Sequence, residues 1–379
     1  MDKKIVFKTL GQLEDDGILK LGRGQIISKK EMQECPGDYP VYSSSATGDG
    51  EIGRYGKYMF DDERITWSID GGGKLFYRNG IKYSVTNVGG YIKIDSKSFN
   101  TKFLYYVLIN QWKRKKFDYV KKAHPSVIRD EYIVPILPIE KQNEIVSILD
   151  KFSKLIEVLN NELNLRTKQF NYYKDYMTKM ESDNVCCDLE QVCEIIDCPH
   201  SSPKWQVEGI PVIRNYNLVN GNIDTANLSY VSEEEYSIRT KRVEPKAGDI
   251  LFSREAPIGN VGIIPENFMC CQGQRVVLLR AKKNIITPRY LLHVLQSDFV
   301  KSQIKNVEKI GSTVSNFNIS DLKKLKLYVP EVAKQEDIVK KLDVFHSYFL
   351  RPDKSLQKEI IMREKQLDFY MDKLLNFAG

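Results

Sequence analysis

KQNEIVSILDKF at Lys141–Phe152 has a close echo, KQEDIVKKLDVF, at Lys334–Phe345, 193 positions later. Each copy follows a short apolar segment ending at a proline, Pro138 in one case and Pro330 in the other. Internal repetition decides architecture before any single motif does, because the same unit must fold twice. Ile145 matches Ile338, Leu149-Asp150 matches Leu342-Asp343, and Phe152 matches Phe345. Farther on, RTKQFNYY from Arg166 matches REKQLDFY from Arg363 at an offset of 197, so the second copy holds four extra residues, near Arg351–Lys354. Upstream, TKFLYYVL from Thr101 is similar to TPRYLLHVL from Thr287.

From the first copy onward, Ile145, Leu149, Phe152, Ile156, Leu159, Leu163, Arg166, Phe170, Tyr173 and Met177 step by four and three. In the second copy Leu356, Ile360, Arg363, Leu367, Tyr370, Leu374 and Phe377 repeat the pattern. An apolar seam sustained at that spacing predicts a long helix packed on another helix. An arginine at the same place in both copies favours packing of the copies on each other over an ordinary bundle. The four inserted residues shift the heptad register, and Pro352 lacks a helical hydrogen-bond donor, so a kink or break is expected there. The pattern predicts two globular domains joined by two long helices packed as an antiparallel coiled coil, with pseudo-two-fold symmetry. The expected boundaries are 1–138 for the first domain, 139–182 for the first helical arm, 183–330 for the second domain and 331–379 for the second arm.

The domains have α/β (α+β) texture. VYSSSATGDGEIGRYGKYMF and ITWSIDGGGKLFYRNGIKYSV in the first, and GIPVIRNYNLVNGNI in the second, alternate apolar and polar residues between glycine turns. With 42% hydrophobic and 28% charged residues among 379, the chain is long enough for two or three real cores and shows no disorder signature. No apolar run nears the roughly 18 residues of a membrane span, and the N-terminus lacks a signal-peptide core, so a cytoplasmic protein without a membrane partner is expected. Seven cysteines without C-x-x-C spacing read as reduced thiols, with no metal site.

Chemistry-bearing motifs are sparse. GGGK at Gly71–Lys74 lacks the spacing of a phosphate loop and reads as a turn between strands. The amino-methylase tetrapeptide, the dinucleotide fingerprint, the zinc-protease helix motif and the serine-hydrolase elbow are all missing. His293 and His346 fall on helices and His124 and His200 in loops, which suits structure and surface contact better than general-base work. The chain therefore reads as non-catalytic. Binding features are clearer. The net charge is +7, and WKRKKFDYVKK at Trp112–Lys122 interleaves six basic residues with aromatics, a composition suited to phosphates.

Taken together, these features resemble the specificity subunit of type I restriction-modification systems. The most specific part is the duplicated P-x₂₋₃-K-Q-x-x-I-V-x-x-L-D-x-F element leading into a long heptad helix, although that family more often has E-Q where this chain has Lys141-Gln142 and Lys334-Gln335. The resemblance implies that each domain is a target recognition domain reading one half of a bipartite double-stranded DNA target. It implies that the helices set the spacer and dock two modification (methyltransferase) subunits, joined in some assemblies by restriction subunits. S-adenosylmethionine, ATP and Mg would then reside on those partners, with no cofactor on this chain. By the same analogy, DNA contacts are expected from Ser43, Ser44, Lys74, Lys121, Lys122 and His124 in the first domain. In the second they are expected from His200, Ser202, Lys204, Arg254, Gln274, Arg275, Ser312 and Thr313. The residues themselves leave other readings open: a coiled-coil scaffold with two protein- or glycan-binding domains, a nuclease or methylase acting alone, or the specificity chain of a system with fused modification and cleavage.

Overall fold

The computed structural model describes residues 5–44, 48–94, 97, 99–118, 120–179, 185–199, 201–310, 317–349 and 356–375. In it the repeated Lys-Gln pair performs one task twice. Gln142 and Gln335 are both fully buried. Gln142 Oε1 accepts the Asn100 N–H (2.9 Å), and its Nε2 donates to the Leu137 carbonyl (2.9 Å). Gln335 Oε1 accepts the Thr287 N–H (2.8 Å), and its Nε2 donates to the Ile285 and Pro330 carbonyls (both 2.8 Å). Asn100 and Thr287 are the N-caps of the helices Thr101–Trp112 and Pro288–Leu295. A buried amide that satisfies otherwise orphaned backbone groups fixes one helix start against another. The framework match thus runs from Asn100 to Thr287, one residue away from the match of Thr101 to Thr287 drawn on sequence.

The same register explains the repeated aspartate. Asp150 accepts from Lys102 (2.8 Å) and from the Tyr106 hydroxyl (2.6 Å). Asp343 pairs with Arg289 (2.5 Å) and with His293 Nε2 (3.3 Å), the residues that stand where Lys102 and Tyr106 stand in the first copy. Arg166 is held by Glu162 (2.8 Å) and Gln169 (2.9 Å), and Arg363 by Glu359 (2.8 Å) and Gln366 (2.9 Å). Within each helix, then, the odd arginine has a partner one turn before it and another one turn after it.

The chain divides into two units, Met1–Asn160 with Glu359–Gly379, and Asn161–Lys358. In the first, a four-stranded antiparallel sheet has the order Leu19–Arg23, Gly89–Ile94, Arg64–Ser68, Leu75–Arg78. A second sheet centres on Tyr39–Tyr42, antiparallel to Glu51–Tyr55 and parallel to Ser84–Val85, while Val6–Thr9 pairs with Ile133–Ile136. The second unit follows the same plan. Its four-stranded order is Cys193–Ile196, Val276–Ala281, Ile250–Ser253, Val261–Ile263. Ile210–Ile213 lies antiparallel to Ser229–Val231 and parallel to Cys271–Gln272, and Val185–Asp188 pairs with Lys326–Val329. Every residue of the inner strands Arg64–Ser68 and Ile250–Ser253 is buried, as the cores on both faces require.

One 39-residue helix, Ile139–Met177, contributes to both units and spans about 58 Å at ~1.5 Å per residue. In the first unit Ile145 and Leu149 are buried in a core shared with Leu104, Met371 and Leu375, and the Phe152 ring stacks on Tyr370 at 4.9 Å. In the second, Phe170 enters a core with Ile338 and Leu342 and packs on Phe345 at 5.6 Å. Ile156, Leu159 and Leu163 are half-buried. In the helix Leu356–Leu375, Ile360 is buried while Leu356, Leu367, Tyr370 and Leu374 are half-buried. The sequence-based seam needs one correction: Tyr173 is exposed and Lys174 is buried in its place, as Met371 is in the other copy. A straight helix of 3.6 residues per turn drifts off a 3.5-residue seam by about 20° per heptad, so the buried stripe ends in steps of four. The second copy forms two helices, Val332–Phe349 and Leu356–Leu375. The break expected at Pro352 and the seam position Phe377 lie outside the described residues. None of the described helices is long and apolar enough to cross a membrane.

Candidate DNA-recognition surfaces

In the first unit four loops converge beyond the ends of the strands. The Ser44 hydroxyl donates to the Val88 carbonyl (2.7 Å) and accepts from the Ser68 hydroxyl (3.0 Å) and the Asp70 N–H (2.8 Å). Ser43 accepts from the Thr86 hydroxyl (2.7 Å), and Lys122 pairs with Asp70 (3.0 Å). His124 caps the helix Pro125–Glu131, with Nδ1 3.0 Å from Ser126 Oγ and Nε2 3.4 Å from the Arg23 guanidinium. Ser43, Ser44, Lys122 and His124 are therefore brought together. Ser44 is committed to three internal hydrogen bonds and shapes the loops. Arg23, exposed and donating to the Asn87 carbonyl (2.6 Å), joins them; no sequence signal marked it. The Lys74 ammonium donates to the Gly48 carbonyl (2.9 Å), and its own carbonyl accepts the Ser68 N–H (3.0 Å). Gly72 and Gly73 have φ of 82° and 72°, and a Cβ at Gly73 would meet the Phe117 ring at 2.6 Å, so the glycine run is the expected turn.

The basic run at Trp112–Lys122 behaves differently from its composition. Lys113 pairs with Asp368, Arg114 with Asp372, Lys115 and Lys121 with Glu131, and Lys122 with Asp70. Two of these pairs tie the turn that follows the helix Thr101–Trp112 to the helix Leu356–Leu375. Five of the six cations thus begin in ion pairs with carboxylates, which a polyanion would have to displace. The four pairs whose cation is exposed contribute only about 0–1 kcal/mol each, so exchange of those cations to phosphate is inexpensive.

In the second unit the loop Gly273–Arg275 lies against the strand end at Ile213–Arg214, where a Cβ on Gly273 would meet the Ile213 carbonyl at 2.8 Å. Arg275 is exposed in the left-handed region (φ 64°), and its N–H points to Cys198 Sγ (3.2 Å). Gln274 Nε2 donates to Ser202 Oγ (3.2 Å). Arg214 lies over the Trp205 ring (5.5 Å) and the Tyr216 ring (4.9 Å), both exposed aromatics. Ser202, Gln274 and Arg275 thus form one patch, with Arg214, Trp205 and Tyr216 beside it; the guanidinium-on-aromatic pairing was not legible from the sequence. Lys204 is exposed next to Trp205. Arg254 is the exception. It is 8% exposed, donates to the Phe317 carbonyl (2.7 Å) and pairs with Asp197 (3.0 Å), which makes it a brace under the loops. His200, Ser312 and Thr313 lie outside the described residues.

Cys193 and Cys270 are among the buried thiols. Burial pushes the pKa of both up to about 12, so they stay protonated at neutral pH. Among the described residues no group of three or more His, Cys, Asp or Glu side chains could hold a metal ion.

Comparison with known proteins agrees with this architecture. The model of the type I restriction modification DNA specificity domain matches twice, at residues 12–165 and 181–360. A Mycoplasma pneumoniae protein named as a type I specificity subunit is 25% identical over 374 residues, covering 95% of this chain and 96% of its own. The MpnII specificity subunit of the same organism is 36% identical over 181 residues, 46% of this chain and 53% of that one. Among solved structures, the specificity subunit from M. genitalium aligns over 99% of this chain and 96% of its own, with a TM-score of 0.54 at 15% identity, a likeness of fold. Two matched domains, on a framework that repeats down to its buried glutamines, place this chain in the family of type I restriction-modification specificity subunits.

Proposed function

We propose that each unit reads one half of a bipartite double-stranded DNA target while the two helical arms, packed antiparallel about a pseudo-two-fold axis, set the gap. The carrying observation is that the frame repeats and the loops do not. Both units share the glutamine staple, the aspartate pairing and the sheet order, yet one presents Ser43, Lys122, His124 and Arg23, the other Ser202, Gln274, Arg275 and Arg214. Identical frames with unlike surfaces suit two related reading tasks with different targets. The antiparallel arrangement is supported by two ring contacts: Phe152 meets Tyr370, and the later Phe170 meets the earlier Phe345.

The arms also offer matched docking positions. Leu165 (60% exposed) and Tyr172 (66%) on the long helix correspond to Met362 (53%) and Phe369 (60%) in the second copy. Two equivalent exposed apolar pairs suit two copies of a modification subunit, with restriction subunits added beyond them. The chain itself is non-catalytic in this reading, and S-adenosylmethionine, ATP and Mg belong to those partners. The test is to co-express the chain with its modification subunit and map adenine methylation genome-wide. A two-part motif with a fixed gap is expected, and Gln274→Ala or Arg275→Ala should relax one position of one half, at about 1–3 kcal/mol per contact. Unchanged rate and site preference in both variants would remove those residues from the reading surface.

A further inference from the structure

The second unit contains a cavity of about 580 Å³ between the long helix, the turn at 219–224 and the helix Pro288–Leu295. Among the described residues its lining includes Lys174, Arg289, His293 and Lys301, against a single carboxylate, Asp224. Lys174 is 3% exposed, and its ammonium donates to the side-chain Oδ1 of Asn171 (3.1 Å). Burial, together with Lys301, lowers its pKa to about 8, although Asp175 and Asp298 act the other way. A buried ammonium is normally matched by a carboxylate. At the equivalent place the first unit has Met371, fully at home in a core.

His293 supplies an independent observation. It is 4% exposed, and its Nε2 faces Asp343. Asp343 is ionised and can only accept, so Nε2 holds the ring proton and Nδ1 presents a lone pair. That buried Nδ1 has no hydrogen-bond partner among the described residues. The equivalent Tyr106 of the first unit is satisfied by Asp150 and Ser153. Both departures from the common frame, Lys for Met and His for Tyr, thus fall on the wall of one cavity.

We propose that this cavity binds a small phosphate monoester. A phosphate group carrying one proton offers anionic oxygens to Lys174 and Lys301 and an O–H to His293 Nδ1. The remaining wall, with Asn222, Asn260 and Gln296, has amide groups suited to the hydroxyls of a sugar. The volume exceeds that of a bare phosphate and falls in the usual range for small-molecule sites, about 300–1,000 Å³.

The experiment is thermal melting and ³¹P NMR of the full-length chain at pH 7 with inorganic phosphate, ribose 5-phosphate and AMP. A ligand-dependent rise in Tm is expected, with the esters binding about tenfold more tightly than inorganic phosphate. Lys174→Met, which installs the residue of the first unit, should fold and raise the ligand-free Tm while abolishing the ligand response. His293→Tyr should weaken binding about tenfold. An equal response in Lys174→Met, or no response at millimolar ester, overturns the proposal. So does inorganic phosphate binding as tightly as the esters, or displacement of the ester by duplex DNA, which would assign the cavity to a backbone phosphate.

Discussion

Gln335 makes three hydrogen bonds from a fully buried position, which sets the cost of removing it. Gln335→Leu leaves an N–H and two carbonyls without their partner, and about 2–4 kcal/mol of stability should disappear in urea titration. Asp343 gives a pH test. Burial pushes its pKa up, but His293 and Arg289 outweigh that and hold it at about 2. A carboxyl depressed below its ordinary value of about 3.9 stabilises the fold above pH 4, and the contribution is lost as pH falls towards 2. His293 acts in a neighbouring window, because burial lowers its pKa and stability therefore falls once pH drops below about 6.5. Asp343→Asn should flatten the part between pH 4 and 2, read from urea midpoints across that range. The repeated glutamine and aspartate were visible in the sequence, but their partners were not. Asn100 and Thr287 lie 42 and 48 positions from the glutamines that hold them, and no local pattern marks the pairing.

Helices were the most legible elements, since an apolar seam is a property of spacing alone. Among the described residues the seam departs only at the end of the long helix, where Lys174 rather than Tyr173 turns inward. A polar residue on a buried stripe contradicts hydrophobic patterning, and such contradictions gather at functional sites. The basic run at Trp112–Lys122 misled for a different reason. Its carboxylate partners Asp368 and Asp372 lie more than 250 positions away, so composition registered the cations without their counterions. The ring pair between Phe152 and Tyr370 is the direct test of how the helix Leu356–Leu375 joins the first unit. A double-mutant cycle with Phe152→Ala and Tyr370→Ala should return a coupling of about 0.5–1.5 kcal/mol. A coupling near zero would mean that the rings touch without contributing.

For the whole molecule, the proposed ruler carries a length prediction. Seven residues inserted at matched places in both arms, one in the Ile156–Leu163 stretch, would lengthen each arm by about 10 Å at ~1.5 Å per residue. That is about three base pairs at ~3.4 Å each, so the methylated motif should keep both halves and gain a gap longer by three. Methylome mapping reads this directly, and a changed half-site would show that the arms do more than measure. The shared sheet plan was invisible in sequence because strands need only alternation and burial, which unlike residues supply equally well. The glutamine staples have a last consequence, in time rather than in space. Because each amide bridges the cap of a domain helix to the opening turn of an arm, that turn cannot fray while the domain stays shut. The Asn100 and Thr287 amides should exchange with deuterium only when their whole units open, far more slowly than amides at the exposed middle of the long helix.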